Sequence, residues 1–194
     1  MAAEETVYDI VLIGPMGAGK STQGQLLSDA LGLPRAQMDT LRFDYYKEIG
    51  YDETLAGEKA REGGFPGILA YWKPFEAYSV GRLLTEHRDC VIDFGAGHSV
   101  YDEMAHCAQV KAALAPYPNV FLLLPAPDFD ESVRLLKARR GFEIEGGEDF
   151  DEYCVKHPLN HELARFTVYT DSRTPEQTRD EILSLRVVPP APAA

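Results

Sequence analysis

The run Gly14, Pro15, Met16, Gly17, Ala18, Gly19, Lys20, Ser21, with Thr22 behind it, constrains this chain more than any other feature. Three glycines in six positions make a loop whose backbone amides can close on a bulky anion without side chains in the way, and a lysine and a hydroxyl complete it. Before it, residues 7–13 are a short apolar run rich in β-branched residues, as expected of a strand covered on both faces of a parallel sheet. After it, residues 21–31 set Leu26, Leu27, Ala30 and Leu31 on one helical stripe, and Gly32 with Pro34 supplies a stop. Strand, glycine loop and helix in that order aim loop amides and the positive end of a helix at one point, which is how nucleotide phosphates are held. Residues 14–22 are therefore expected to cradle ATP, with Lys20 reaching the β- and γ-oxygens and Ser21 ligating Mg²⁺. A chance glycine turn of this pattern arises in about one chain of this length in a hundred, and the flanking strand and helix reduce that further.

The alternation continues. Residues 90–93 and 119–124 read as further strands, each followed by helical sequence, and residues 35–39 and 167–170 are weaker strand candidates. Such a pattern predicts an α/β fold: a three-layer αβα sandwich on a five-stranded parallel sheet. Helix starts are marked by Ser99 with Asp102, Asp128 with Glu131, and Thr174-Pro175 with Gln177. Two stretches interrupt the alternation. Residues 41–88 form a mostly helical insertion containing Gly63, Gly64, Pro66 and Gly67, and residues 141–157 begin glycine-rich and acidic. These are where a substrate pocket and a lid are expected. One domain over residues 1–188 and a disordered Pro/Ala tail over 189–194 complete the expectation.

Charge narrows the partners. With 31 acidic against 19 basic side chains the net charge is −12, which repels nucleic acid and anionic membrane and favours a small-molecule substrate. Cys90, Cys107 and Cys154 are widely spaced and read as reduced thiols; the acidic N-terminus lacks the pattern of a signal peptide, and no apolar run is long enough to span a bilayer. A cytoplasmic monomer or homodimer is expected.

A magnesium shell beside a phosphate loop needs an acid at the end of a neighbouring strand. Asp93 and Asp39 both qualify, and either could hold Mg²⁺ through water or accept the proton of an acceptor hydroxyl. In the insertion, Arg42, Asp44, Lys73 and Glu76 are the polar candidates for fixing an acceptor. At least one member of each adjacent pair, Tyr45/Tyr46 and Tyr71/Trp72, is an aromatic candidate for facing it, with Trp72 counted among the substrate-binding candidates, and His98 follows the 95–97 glycine segment.

With those residues in hand, the chain resembles the shikimate kinase family. Residues 12–22 are similar to its first strand and phosphate loop. Met38-Asp39-Thr40 is similar to the end of its second strand, Gly95-Ala96-Gly97 to its triple-glycine segment, and residues 157–164 to the run that follows its lid. The resemblance implies that Pro175 packs on adenine and that Arg139 and Arg140 contact the nucleotide. It also implies that Gly95, Ala96, Gly97, Lys73 and Lys156 belong to the acceptor side. Three of its expected substrate contacts are altered: Leu41 stands where the family has an aspartate, and Lys73 and Lys156 stand where it has arginines. The resemblance thus implies γ-phosphate transfer from ATP to a hydroxyl of a metabolite, with shikimate itself disfavoured. A nucleoside or nucleotide kinase and a nucleotide-binding switch are the alternatives.

Overall fold

A computed structural model describes residues 7–140 and 150–190. Five parallel strands form one sheet: β1 (Ile10–Ile13), β2 (Arg35–Gln37), β3 (Val91–Asp93), β4 (Val120–Leu124) and β5 (Phe166–Tyr169), in the order β2-β3-β1-β4-β5. Helices cover the sheet: α1 (Lys20–Leu31), α2 (Met38–Glu48), α3 (Glu53–Glu86), α4 (Met104–Leu114), α5 (Phe129–Arg140), α6 (Phe150–Lys156), α7 (Pro158–Leu163) and α8 (Pro175–Leu185). This is the expected αβα architecture. The apolar runs of β1 and β4 are buried throughout because helices lie over both faces, and they form the centre of the core.

Strand order places the site. The chain leaves β1, crosses to the edge at β2, returns to β3 beside β1, then moves to β4 on the other side. The carboxyl end of β1 is therefore a crevice between diverging connections, where open α/β sheets bind ligands. Leu12 is in register with Asp93, so the aspartate comes out beside the loop that follows β1.

Several local expectations change. The 35–39 strand stops at Gln37, and Asp39 lies in the first turn of α2, where its charge complements the positive helix end. In α1 the buried face is Lys20, Gln23, Gly24 and Leu27; Ala30 is exposed. No cap forms at Ser99. Residues Ala96–Ser99 make a 3₁₀ turn, α4 begins at Met104, and Asp102 instead accepts a hydrogen bond from the Tyr153 hydroxyl at 3.0 Å. Asp128 does accept from the Glu131 amide at 2.8 Å, and Thr174 with Gln177 closes a capping box. The insertion is α2 and α3, with α3 bent where Gly64 takes φ 61°, just ahead of Pro66. Its rings from Phe43, Tyr46, Tyr51, Tyr71 and Phe75 pack together and pin α2 to α3. Of the expected lid, residues 141–149 lie outside the described residues and 150–156 are α6; of the tail, 191–194 lie outside them. Among the described residues no helix is long and apolar enough to cross a membrane.

Candidate active site

The loop between β1 and α1 turns on glycine. Gly14 has φ 131°, and a methyl there would be driven into the carbonyl of Leu123 on β4. Gly14→Ala is accordingly expected to cost about 1–3 kcal/mol, read as a lower urea midpoint with the slope unchanged. Lys20, the first residue of α1, folds back and donates to the carbonyls of Gly14 and Pro15, both at 2.8 Å. Burial holds its ammonium below the ordinary lysine range, with the charges of Asp39 and Asp93 among those opposing. A dehydrated cation enclosed by backbone dipoles suits a phosphate cluster.

Asp93 ends β3 and is locked. Arg35, opening the neighbouring β2, donates to both carboxylate oxygens, Nε to Oδ1 and Nη2 to Oδ2, each at 2.9 Å. The Ser21 hydroxyl lies 3.3 Å from Oδ2. Arg35 was invisible as a partner in the sequence because the pair spans two strands. The one local signal was a glycine inside α1: a methyl at Gly24 would come within 2.8 Å of Arg35 Nε and 3.2 Å of Asp93 Oδ1.

Asp39 differs. Its side chain is 67% exposed and lies 3.9 Å from Arg42 Nη1. It lines a cleft of about 550 Å³ together with Met16, Gly17, Gly19, Lys20, Ser21 and Thr22 from the phosphate loop. The opposite wall brings in Arg42, Trp72, Glu76, Ala96 and Gly97, with Phe65, Leu69 and Phe150 that charge and motif did not single out. Gly95 sits behind, where a methyl would collide with Asp39 Oδ1 and His98 Nδ1.

Other expected contacts fall elsewhere. Lys73 turns from the cleft and donates to Glu76 at 2.8 Å, the Val100 carbonyl at 2.9 Å and the Gly97 carbonyl at 3.0 Å. Lys156 lies outside the cleft between Asp130 and Glu152, because its helix presents it to α5. Asp44 points to solvent beside Lys47, since α2 buries Tyr45 and Tyr46 on its inner side. Neither tyrosine faces the cleft: Tyr46 meets His98 and Tyr45 meets His87. Arg140 is paired with the buried Asp151 of α6 at 2.7 Å, a contact that joins α5 to α6. Arg139 does reach it. Its guanidinium donates to the Gly17 carbonyl at 3.5 Å, the Thr170 hydroxyl at 3.2 Å and Asp171 at 3.2 Å. Gln23 of α1 donates to the Pro175 carbonyl at 2.9 Å, which ties the 170–175 loop to the same side.

His98 is fully buried beside this cleft, its Nε2 3.2 Å from the Tyr46 hydroxyl. Burial pushes its pKa down from 6.5 to about 3, with Asp39 opposing. The unfolded chain takes up this proton first, so the stability contributed is full above pH 6.5 and is lost as pH falls toward 3. Between those limits this residue alone should add about 1.4 kcal/mol of lost stability per pH unit, and urea titrations of His98→Gln should show the shallower pH slope.

The donor set fits a magnesium nucleotide. Ser21, Asp93 and Asp39 offer the oxygens such an ion takes, and among the described residues no three acids, histidines or cysteines gather into an all-protein cage. That is the usual case for magnesium, which draws most of its ligands from phosphate and water.

Comparison with known proteins places this geometry. No family model matches the chain. It is 30% identical over 179 residues to the shikimate kinase of Streptomyces avermitilis, covering 92% of this chain and 95% of that one. It is 31% identical over 179 residues to that of Streptomyces coelicolor, covering 90% and 92%. Among solved structures, a shikimate kinase from Acinetobacter baumannii in complex with shikimate superposes with a TM-score of 0.61 at 22% identity, covering 93% of each chain.

Proposed function

Because this chain belongs to the shikimate kinase family, we propose that it transfers the γ-phosphate of ATP to a hydroxyl of a small metabolite, and that shikimate is not its dedicated acceptor. The observation that carries this is the meeting of Lys20 and Ser21 with the exposed Asp39 in one cleft, and an Arg35-locked Asp93 3.3 Å behind the Ser21 hydroxyl.

The residues divide the work. The amides of residues 16–19 and the start of α1 hold the β-phosphate, and Lys20 leaves its carbonyl partners to neutralise the β/γ oxygens. Ser21 and Asp93 would hold magnesium, Asp93 through water since both its oxygens already accept from Arg35. When bound, the ion offsets charge on the transferring phosphate. Asp39 faces the cleft and accepts the proton of the acceptor hydroxyl as its oxygen forms the new bond to phosphorus and the β/γ bridge bond breaks, releasing ADP. Arg139 braces the loop from the nucleotide side.

Against shikimate stand three positions. Leu41 packs on the core, Lys73 is engaged with Glu76, and Lys156 lies outside the cleft. The test is ADP formation over a panel of hydroxylated metabolites. Stimulation by at least one of them, with shikimate turned over well below about 1 per second, is expected; shikimate turnover within the range of dedicated kinases would overturn the acceptor assignment.

A further inference from the structure

Resting on that kinase assignment, we infer that Arg42 selects the acceptor: it receives a carboxylate carried close to the hydroxyl that Asp39 takes up, so the acceptor is a small hydroxy acid held on α2.

Arg42 is a cation with no committed hydrogen-bond partner. Its Nε is buried and has none among the described residues, and its Nη1 stands 3.9 Å from Asp39 Oδ1, beyond hydrogen-bonding range. Arg35, by contrast, spends two N–H groups on one carboxylate at 2.9 Å each. A buried donor left unpaired costs about 1–3 kcal/mol, which a ligand that accepts from it recovers. What holds Arg42 in place is aromatic: its guanidinium lies over the rings of Phe43 and Trp72, 4.7 and 5.4 Å from their centroids. Trp72 is itself fixed, its indole N–H directed to the Tyr51 hydroxyl at 3.4 Å. Stacking sets the plane of the guanidinium while its N–H groups point outward from that plane's edge, as a two-pronged contact with a carboxylate requires.

Position gives this cation its role. Arg42 and Asp39 are three residues apart on α2 and share one of its faces. Both line the cleft with Lys20 and Ser21. Lys20 belongs to the phosphates, and beside it Arg42 is the one cation lining the cleft among the described residues. Lys73 is turned to Glu76 and two carbonyls, and Lys156 lies between Asp130 and Glu152. An anionic group on the acceptor therefore goes to Arg42. Asp39 and Glu76 line the same cleft, so a group carrying two charges would meet two acids with one guanidinium to offset them. A carboxylate carries one. Because Arg42 stands a single helical turn from Asp39, the carboxylate and the reacting hydroxyl lie close together on the acceptor, and Phe65, Leu69 and Trp72 cover its carbon skeleton.

The experiment compares matched acceptors that differ at the carboxylate: glycerate with glycerol, gluconate with glucose, and shikimate with its methyl ester. Each is assayed for ADP formation with the full chain, ATP and Mg²⁺, and ATP binding is measured separately by calorimetry. Trp72 is the one tryptophan of the chain, so its emission, followed with ADP and Mg²⁺ in place of ATP, reports on this guanidinium without turnover. The acid of at least one pair is expected to change that emission and to show a kcat/KM at least about tenfold above its neutral counterpart. Arg42→Ala should raise the KM for that acid about 10–100-fold and close the gap within the pair. Arg42→Lys should restore only part of it, because a point charge lacks the fork. Equal or better use of the neutral members overturns the inference and leaves the kinase assignment standing. ATP binding without stimulation by any of the six also overturns it. Absence of ATP binding overturns the kinase assignment beneath it. A gap of unchanged width in both variants contradicts the role given to Arg42.

Discussion

Lys20→Ala is expected to lower acceptor-dependent ADP formation by about 10²–10³-fold while raising or leaving unchanged the stability of the fold. The two expectations have one cause. Lys20 is a buried cation whose ammonium, among the described residues, donates to the carbonyls of Gly14 and Pro15, and burial already opposes its charge. Its removal relieves a desolvation cost in the free protein. In the transition state the same removal withdraws the positive charge that spans the β- and γ-oxygens, which no other side chain of the loop supplies. The loss should therefore appear in kcat at saturating ATP, with the urea midpoint at or above that of the wild type. A kcat within a few-fold of wild type would mean that the glycine loop is not the phosphate site.

Arg35→Ala should destabilise the fold by about 3–5 kcal/mol, the largest stability effect of any single polar substitution in the site. Asp93 is 6% exposed at its side chain and Arg35 is 12% exposed, so the pair is shielded from water. Both carboxylate oxygens accept from the guanidinium, and what remains after its removal is a Ser21 hydroxyl at 3.3 Å. Arg35→Lys should recover only part of the loss, because a point charge cannot reproduce the two-pronged contact. Urea unfolding of the three proteins measures this, and a difference below about 1 kcal/mol would place the pair among exposed ion pairs of little consequence. The same pair accounts for Gly24 in the interior of α1, a position where glycine costs a helix about 1 kcal/mol.

What the sequence made legible was local. β1, the phosphate loop and α1 could be read because strand, glycines, lysine and helix are contiguous, and their chemistry depends on that contiguity. β3 and β4 were evident as apolar runs, and the capping box at Thr174 was evident because its partners are three residues apart. What failed was tertiary. Ser99 and Asp102 have the composition of a helix start, yet His98 beside them is drawn into the core against Tyr46, and Tyr153 of α6 takes the Asp102 carboxylate. Arg140 and Lys73 were expected at the nucleotide and at the acceptor, and each is paired with an acid on a neighbouring helix or turn of helix. Asp39 was expected at a strand end, but three residues of β2 suffice before α2 begins and it lies in the first turn of that helix. The cleft wall of Phe65, Leu69 and Phe150 joins segments some eighty residues apart, and no periodicity within either segment announces it.

The most direct test of the central claim is to follow the γ-phosphate itself. ATP carrying ¹⁸O on the γ-phosphate would be incubated with the protein, Mg²⁺ and a mixture of hydroxylated metabolites, charged and uncharged, and the products resolved by mass spectrometry. A labelled phosphomonoester of one alcohol, absent with Lys20→Ala, is predicted. Labelled inorganic phosphate alone, unaffected by any alcohol, would contradict transfer to a hydroxyl and leave only hydrolysis.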